Sequence, residues 1–323
     1  MAYIGGNAKL YDLLFNFKHS IILQSLHATE GAEATNGDGF GVGWYPTSTK
    51  TSGSDEFDEG DEDESREESD ELPLLFRSVE PAWHDRNLKE IAQGIHSHTV
   101  LAHVRAASPS VANVQQTNCH PFRYGNWLFM HNGVIRGFKT IKRDLILRID
   151  PELFPFIEGS TDSETFFYLA LSFGLREDPP SAIAKAVGYI TTLAKKAGVE
   201  FPVQMTVATT DGRRLWAFRY SSEGKSRTLY YSSNLEDILA QYEPQSKAHK
   251  RMSLLNDKQQ KKRLSISKSL ARLKSFTGDS RFVVSEPLGG LPGMWNLVPE
   301  SSCVFIEDGI LDVLKFEPDF DAV

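Results

Sequence analysis

Five of the nine histidines, His96, His98, His103, His120 and His131, crowd between positions 96 and 131. A His-x-His pair on a strand puts both imidazoles on one face, which invites a metal. No carboxylate stands at ligand spacing beside them, however, and catalytic zinc takes three protein ligands, so no metal and no cofactor is expected. Their neighbours say more. His103-Val104-Arg105 alternates as a strand does, so His103 and Arg105 share a face; Asn118 to Phe122 reads as a tight polar turn; His131-Asn132-Gly133 ends a strand at a glycine. A buried guanidinium needs a partner, and its planar fork suits a substrate carboxylate. Asp162, at a helix start, can receive an ammonium. Asn132 offers a side-chain N–H and Gly133 a main-chain N–H open to close approach, the two parts of an oxyanion hole. Together they describe an α-amino acid whose side-chain amide is attacked. Each residue also has a plainer reading: Arg105 pairing with Asp38 or Asp162, Asp162 capping its helix, Asn132-Gly133 as a turn. The glycine-rich run from Asp38 to Gly43 lacks the Lys and the following helix of a phosphate loop, and suits close strand packing instead.

The elements that must position these groups are legible in outline. The 323 residues, 40% of them hydrophobic, are ample for a buried core. A helical pattern covers Leu10 to Phe15, strands are expected at Phe40–Tyr45, Thr99–Ala107 and Trp127–Met130, and a helix at Asn87–Ile95, with His96-Ser97-His98 at its end. Thr161-Asp162-Ser163-Glu164 is a capping box ahead of an apolar run. A helix follows Pro179-Pro180, and Asp211-Gly212 marks a hairpin between Val203–Thr209 and Arg214–Tyr220. Further strands are expected at Arg281–Ser285 and Cys303–Ile306, with a turn at Asp308-Gly309. Strands mixed with paired helices, without a regular βαβ period or an internal repeat, indicate a mixed two-layer sandwich more than a doubly wound sheet.

The net charge of −8 comes from one place. From Asp55 to Glu71 twelve residues are acidic and one is basic, and the rest of the chain is slightly basic, so nucleic-acid binding is not expected. Residues 47–72 read as a disordered acidic insertion, unable to bury enough surface to offset chain entropy. Residues 245–277 are a basic, Ser-rich insertion, of opposite charge and able to attract the acidic one. No stretch is long and apolar enough to cross a membrane. Two cysteines, Cys119 and Cys303, make no disulfide framework and fit a reducing compartment, so a soluble cytoplasmic protein is expected.

Five motifs in one order carry a resemblance: Asn36 to Tyr45, His103 to Ser108, Asn118 to Phe122, Met130 to Gly133 and Gly159 to Glu164. They resemble the class-II glutamine amidotransferase domain of the N-terminal-nucleophile hydrolases, across essentially the whole chain apart from the two insertions. Ser285-Glu286-Pro287 and Trp295 look like one branch, the fungal subunit that degrades glutathione with a metallopeptidase-like partner. The resemblance implies a single domain over residues 1–323, an α+β fold with two antiparallel sheets between helix layers (αββα), and hydrolysis of a γ-glutamyl amide in glutathione or glutamine. By it, Arg105 would bind the substrate carboxylate and Asp162 its ammonium, Ser108 and His120 would line the pocket, and Asn132 with Gly133 would hold the oxyanion.

One departure matters. Family members begin Met-Cys-Arg and an aromatic, and after Met removal the cysteine's own amine serves as base for its thiol. This chain begins Met1-Ala2-Tyr3-Ile4-Gly5; Tyr3 and Gly5 match the family's first strand, and a short segment with the nucleophile is missing by that alignment. Cys119 sits in the polar turn with its amine in a peptide bond, and Cys303 in a structural strand, so neither replaces it. Two expectations follow: a native start that restores the cysteine and an active hydrolase, or a pseudoenzyme that binds γ-glutamyl ligands or a partner subunit.

Overall fold

The computed structural model describes residues 1–30, 35–47, 72–106, 114–247 and 257–321; positions 48–71, which hold the acidic run, lie outside them. In chain order the elements are β1 (Ala2–Lys9), α1 (Leu10–Leu14), α2 (Ile21–Leu26), β2 (Phe40–Trp44), β3 (Leu74–Ser78), α3 (Arg86–Gly94), β4 (His96–Val104), β5 (Phe122–Tyr124), β6 (Trp127–Ile135), α4 (Phe138–Arg148), α5 (Asp162–Ser172), α6 (Pro179–Lys196), β7 (Val203–Thr210), β8 (Arg214–Ser221), β9 (Tyr230–Ser232), α7 (Leu235–Lys247), α8 (Asp257–Leu273), β10 (Arg281–Val284), β11 (Trp295–Leu297), β12 (Ser302–Glu307) and β13 (Ile310–Lys315). One sheet has seven strands in the order β11-β9-β10-β1-β4-β2-β3, the other six in the order β13-β12-β8-β7-β6-β5. Every pairing is antiparallel.

The inner strands of each sheet are buried on both faces, and the two-residue period of the strands decides which residue goes where. Ala2, Ile4, Leu101, Leu128, Met130, Ala208, Leu215, Ala217, Val283, Val304 and Ile306 meet between the sheets. Their alternates on the larger sheet, Tyr3, Val100, Ala102, Phe282 and Val284, pack under α1, α3, α7 and α8. Those on the smaller sheet, Trp127, Phe129, Met205, Val207, Trp216 and Phe218, pack under α4, α5 and α6. Four layers, αββα, are the result.

Local signals are mostly honoured. Thr161 caps α5, its Oγ1 accepting from Glu164 N at 3.1 Å. The return arm of the capping box is absent, because the Glu164 carboxylate accepts from the N–H groups of Glu158 and Gly159 (3.0 and 2.7 Å) and ties down the loop before the cap. The β12–β13 turn takes positive φ at Asp308 (48°) and Gly309 (75°), as a tight hairpin of right-handed strands requires. His96-Ser97-His98 corrects the helix-end expectation: α3 stops at Gly94, Leu10 N donates to Ile95 O, and His96 and Ser97 already pair with Lys9 and Ala8 as the start of β4. The basic segment is helical in part, as α8, and Leu270, Leu273 and Phe276 seat its end in the core under the larger sheet.

Leu101 is fully buried between the sheets, whereas Leu314 on the edge strand β13 is 51% exposed. Leu101→Ala is expected to cost about 2–5 kcal/mol of stability, and Leu314→Ala within about 0.5 kcal/mol of nothing. Urea unfolding of both variants checks the layer assignment.

Candidate active site

A cavity of about 370 Å³ opens where the layer between the sheets runs out of apolar residues, and His103, Arg105, His120, Asn132, Gly133 and Asp162 line it. Strand parity puts them there. On β4, His103 follows Leu101 on the face turned to the other sheet, with Arg105 just beyond the strand; on β6, Asn132 follows Leu128 and Met130. The inter-sheet stripe of each strand thus changes from aliphatic to polar at the same end of the sandwich.

Main-chain bonds hold these groups. Arg105 N donates to Gly39 O and Asp38 N to Arg105 O, both at 2.9 Å. The Arg105 guanidinium, in a residue 7% exposed, reaches the main-chain oxygen of Asp38 at 3.4 Å. Asp162, also 7% exposed, opens α5; its Oδ2 accepts from Ile135 N (2.9 Å) and its Oδ1 from Ser163 N (2.8 Å), which fastens the helix start to the end of β6. Gly133 has no room for a side chain: a Cβ would lie 2.0 Å from Gln204 O and 2.4 Å from His131 Nε2.

Three buried imidazoles line the cavity. His103 and His120 meet edge to face with ring centroids 4.3 Å apart, and His131 Nδ1 lies 2.9 Å from Ser163 Oγ. Both ring nitrogens of His120, Nδ1 of His103 and Nε2 of His131 are buried without a hydrogen-bond partner. Burial lowers His103 from 6.5 to about 3, holds His120 well below its ordinary value and lowers His131 as well. All three are neutral at pH 7. Among the described residues no three His, Cys, Asp or Glu groups cluster as metal ligands. The Met1 α-amine also borders the cavity; it donates to Ala102 O at 2.8 Å and burial lowers it from 8.0 to about 5.

Of the residues the sequence nominated, Arg105, His120, Asn132, Gly133 and Asp162 come together here, and Ser108 lies outside the described residues. Neither cysteine lines the cavity. Cys119 is buried with its Sγ 3.3 Å from Ser78 O, and burial raises its thiol; Cys303 lies in the core of β12 and is pushed up to about 12. Sequence reasoning missed Arg227, which enters from the loop between β8 and β9 and donates from Nη1 to Asn132 Oδ1 at 2.9 Å. Its partner is far away in the chain and no local motif marks it. Glu286 was missed as a cavity residue too; its carboxylate accepts from the N–H groups of Thr29 and Glu30 and shapes the cavity rim.

The family profile of class-II glutamine amidotransferases matches residues 8–232, and the chain belongs to that family. Among particular proteins, it is 32% identical over 322 residues to the probable glutamine amidotransferase DUG3 of Saccharomyces cerevisiae, covering 93% of this chain and 78% of the yeast protein. It is 36% identical over 64 residues to the gamma-glutamyl-hercynylcysteine sulfoxide hydrolase of Mycobacterium tuberculosis, a match covering 20% of this chain and 27% of that one. A glutamine aminotransferase class-II domain protein of Silicibacter pomeroyi superposes with a TM-score of 0.64 at 27% identity, over 98% of both chains. The glutamine phosphoribosylpyrophosphate amidotransferase of Bacillus subtilis shares the fold, with a TM-score of 0.55 at 12% identity, over 98% of this chain and 49% of the larger one.

The histidine shifts carry a pH dependence with a definite sign. Native His103 stays neutral down to about 3, whereas in the unfolded chain it takes up a proton below about 6.5. Its contribution to stability is therefore present above pH 6.5 and is lost progressively as pH falls towards 3. Urea midpoints measured from pH 7.5 to 4.5 are expected to fall, and His103→Gln to flatten that slope.

Proposed function

We propose that the cavity binds the γ-glutamyl end of an amide and that the protein hydrolyses γ-glutamyl amide bonds, with glutathione and related γ-glutamyl peptides ahead of free glutamine as substrate. The observation that carries this reading is the convergence of Arg105, Asp162 and the Asn132–Gly133 pair on one cavity. Arg105 takes the α-carboxylate. Asp162, acceptor-only and already oriented by two main-chain N–H groups, takes the α-ammonium. The γ-carbonyl oxygen then lies towards Asn132 Nδ2 and Gly133 N, where donors stabilise negative charge as it develops. His120, and Ser108 by the family pattern, complete the wall. The similarity to a probable glutamine amidotransferase of yeast and to a mycobacterial gamma-glutamyl-hercynylcysteine sulfoxide hydrolase supports a γ-glutamyl amide as the substrate class.

In this reading the nucleophile is an N-terminal cysteine ahead of Tyr3 on the strand that β1 forms. Met1 is opposite Ala102 at the cavity, so residues continuing β1 upstream would follow β4 towards Arg105. The thiolate attacks the γ-carbonyl, the amine leaves with a proton passed on by the cysteine's own amino group, and water cleaves the thioester to release glutamate. A second reading, a γ-glutamyl-binding subunit without turnover, is favoured by one observation: neither described cysteine lines the cavity. A metallopeptidase-like protein would then be the partner that acts on the remainder of the peptide.

Calorimetric titration of the 323-residue chain with glutathione and with glutamine is expected to show binding. Arg105→Ala is expected to weaken it more than about tenfold, the loss of a charge-assisted clamp. A form beginning Cys-Arg-aromatic before Ala2 is expected to release glutamate, and Arg105→Ala in that form to raise KM more than it lowers kcat. Absence of binding for every γ-glutamyl compound would overturn the proposal. Binding without release by either form would select the second reading.

A further inference from the structure

We infer that Arg227 is the positioning residue of the oxyanion site, setting the orientation of the Asn132 amide; the inference rests on the γ-glutamyl reading above. A guanidinium can only donate, so the atom that meets Arg227 Nη1 at 2.9 Å is the amide oxygen of Asn132. That settles which way the amide points. Its NH₂ is turned away from Arg227, makes no hydrogen bond among the described residues, and belongs to a residue that lines the cavity. An unrestrained asparagine could present its oxygen there instead and repel the developing oxyanion. The main chain of Asn132 is fixed separately, Thr206 Oγ1 donating to its carbonyl at 3.1 Å. Only the amide rotation is left for Arg227 to decide.

The loop that carries Arg227 is itself pinned. Arg219 on β8 donates from Nε to Arg227 O at 2.9 Å and from Nη1 to Val298 O at 2.6 Å. Glu300 accepts from Ser226 N at 3.1 Å and from the Ser226 hydroxyl, and lies 3.8 Å from the Arg219 guanidinium. The chain of contacts runs from Glu300 through Ser226 and Arg219 to the Arg227 main chain, and from the Arg227 side chain to Asn132. Its far end bears on no cavity group directly. Arg227 also keeps a positive charge beside the amide, which polarises the N–H bonds that face the substrate.

The test uses the full 323-residue chain labelled with ¹⁵N-asparagine, the side-chain NH₂ pair of Asn132 being assigned through Asn132→Asp. Arg227→Met is expected to move that pair, and Arg227→Lys, which keeps a cationic donor, to return it towards the wild-type position. L-Glutamate is the binding probe, because its γ-carboxylate puts an anionic oxygen where the oxyanion forms; L-norvaline, with the same α-groups and no γ-oxygen, is the control. Arg227→Met is expected to weaken glutamate roughly tenfold, to leave norvaline unchanged, and to have no further effect once Asn132 is Ala. Glu300→Gln is expected to give a smaller change of the same sign. An unmoved Asn132 resonance in Arg227→Met, or equal weakening of glutamate and norvaline, would overturn the inference. If wild-type protein binds neither amino acid, the γ-glutamyl reading fails while the resonance still decides whether Arg227 orients Asn132.

Discussion

Strand β4 is hydrogen-bonded on both sides, to β1 and to β2, and both of its faces are buried. That double confinement is what the site depends on. A shift of one residue would turn Leu101 towards the helices and Val100 towards the opposite sheet, exchanging every contact of two cores at once. The register is therefore held by apolar packing far larger than anything at the cavity, and His103 and Arg105 are delivered to the open end of the inter-sheet layer as a by-product. β6, confined the same way between β5 and β7, delivers Asn132 to the same place from the other sheet.

The cavity that results is lined largely by polar groups, several of them buried, and burial governs their electrostatics. Three neutral histidines contribute dipoles without charge, because burial makes the imidazolium form costly. The charged side chains that line the cavity are the guanidinium groups of Arg105 and Arg227 and the carboxyl groups of Glu30, Asp162 and Glu286.

Several features were legible in the residues themselves. The alternation from Thr99 to Val104, Thr161 as a helix cap and Asp211-Gly212 as a hairpin each follow from the order of a few neighbouring residues, which local sequence encodes directly. The reciprocal capping box did not form, because Glu164 found better partners in the loop from Glu158 to Gly159. The strand start at His96 was read as a helix end because Gly94 marks where α3 stops, while the pairing with Lys9 and Ala8 comes from the other end of the sheet.

By itself, the sequence determined the polar residue types that line the cavity, their order along the chain and, through five motifs, the family and its layered fold. These survive without coordinates because they are properties of short segments. Only the tertiary structure decided that Arg105, Asn132 and Asp162 face one cavity, that burial holds the nearby histidines neutral, and that the Arg227 guanidinium meets the amide oxygen of Asn132. The reason is physical: desolvation and hydrogen bonds between segments as distant as Arg227 and Asn132 depend on sheet register and on loops pinned from across the fold, and no spacing within a segment records them.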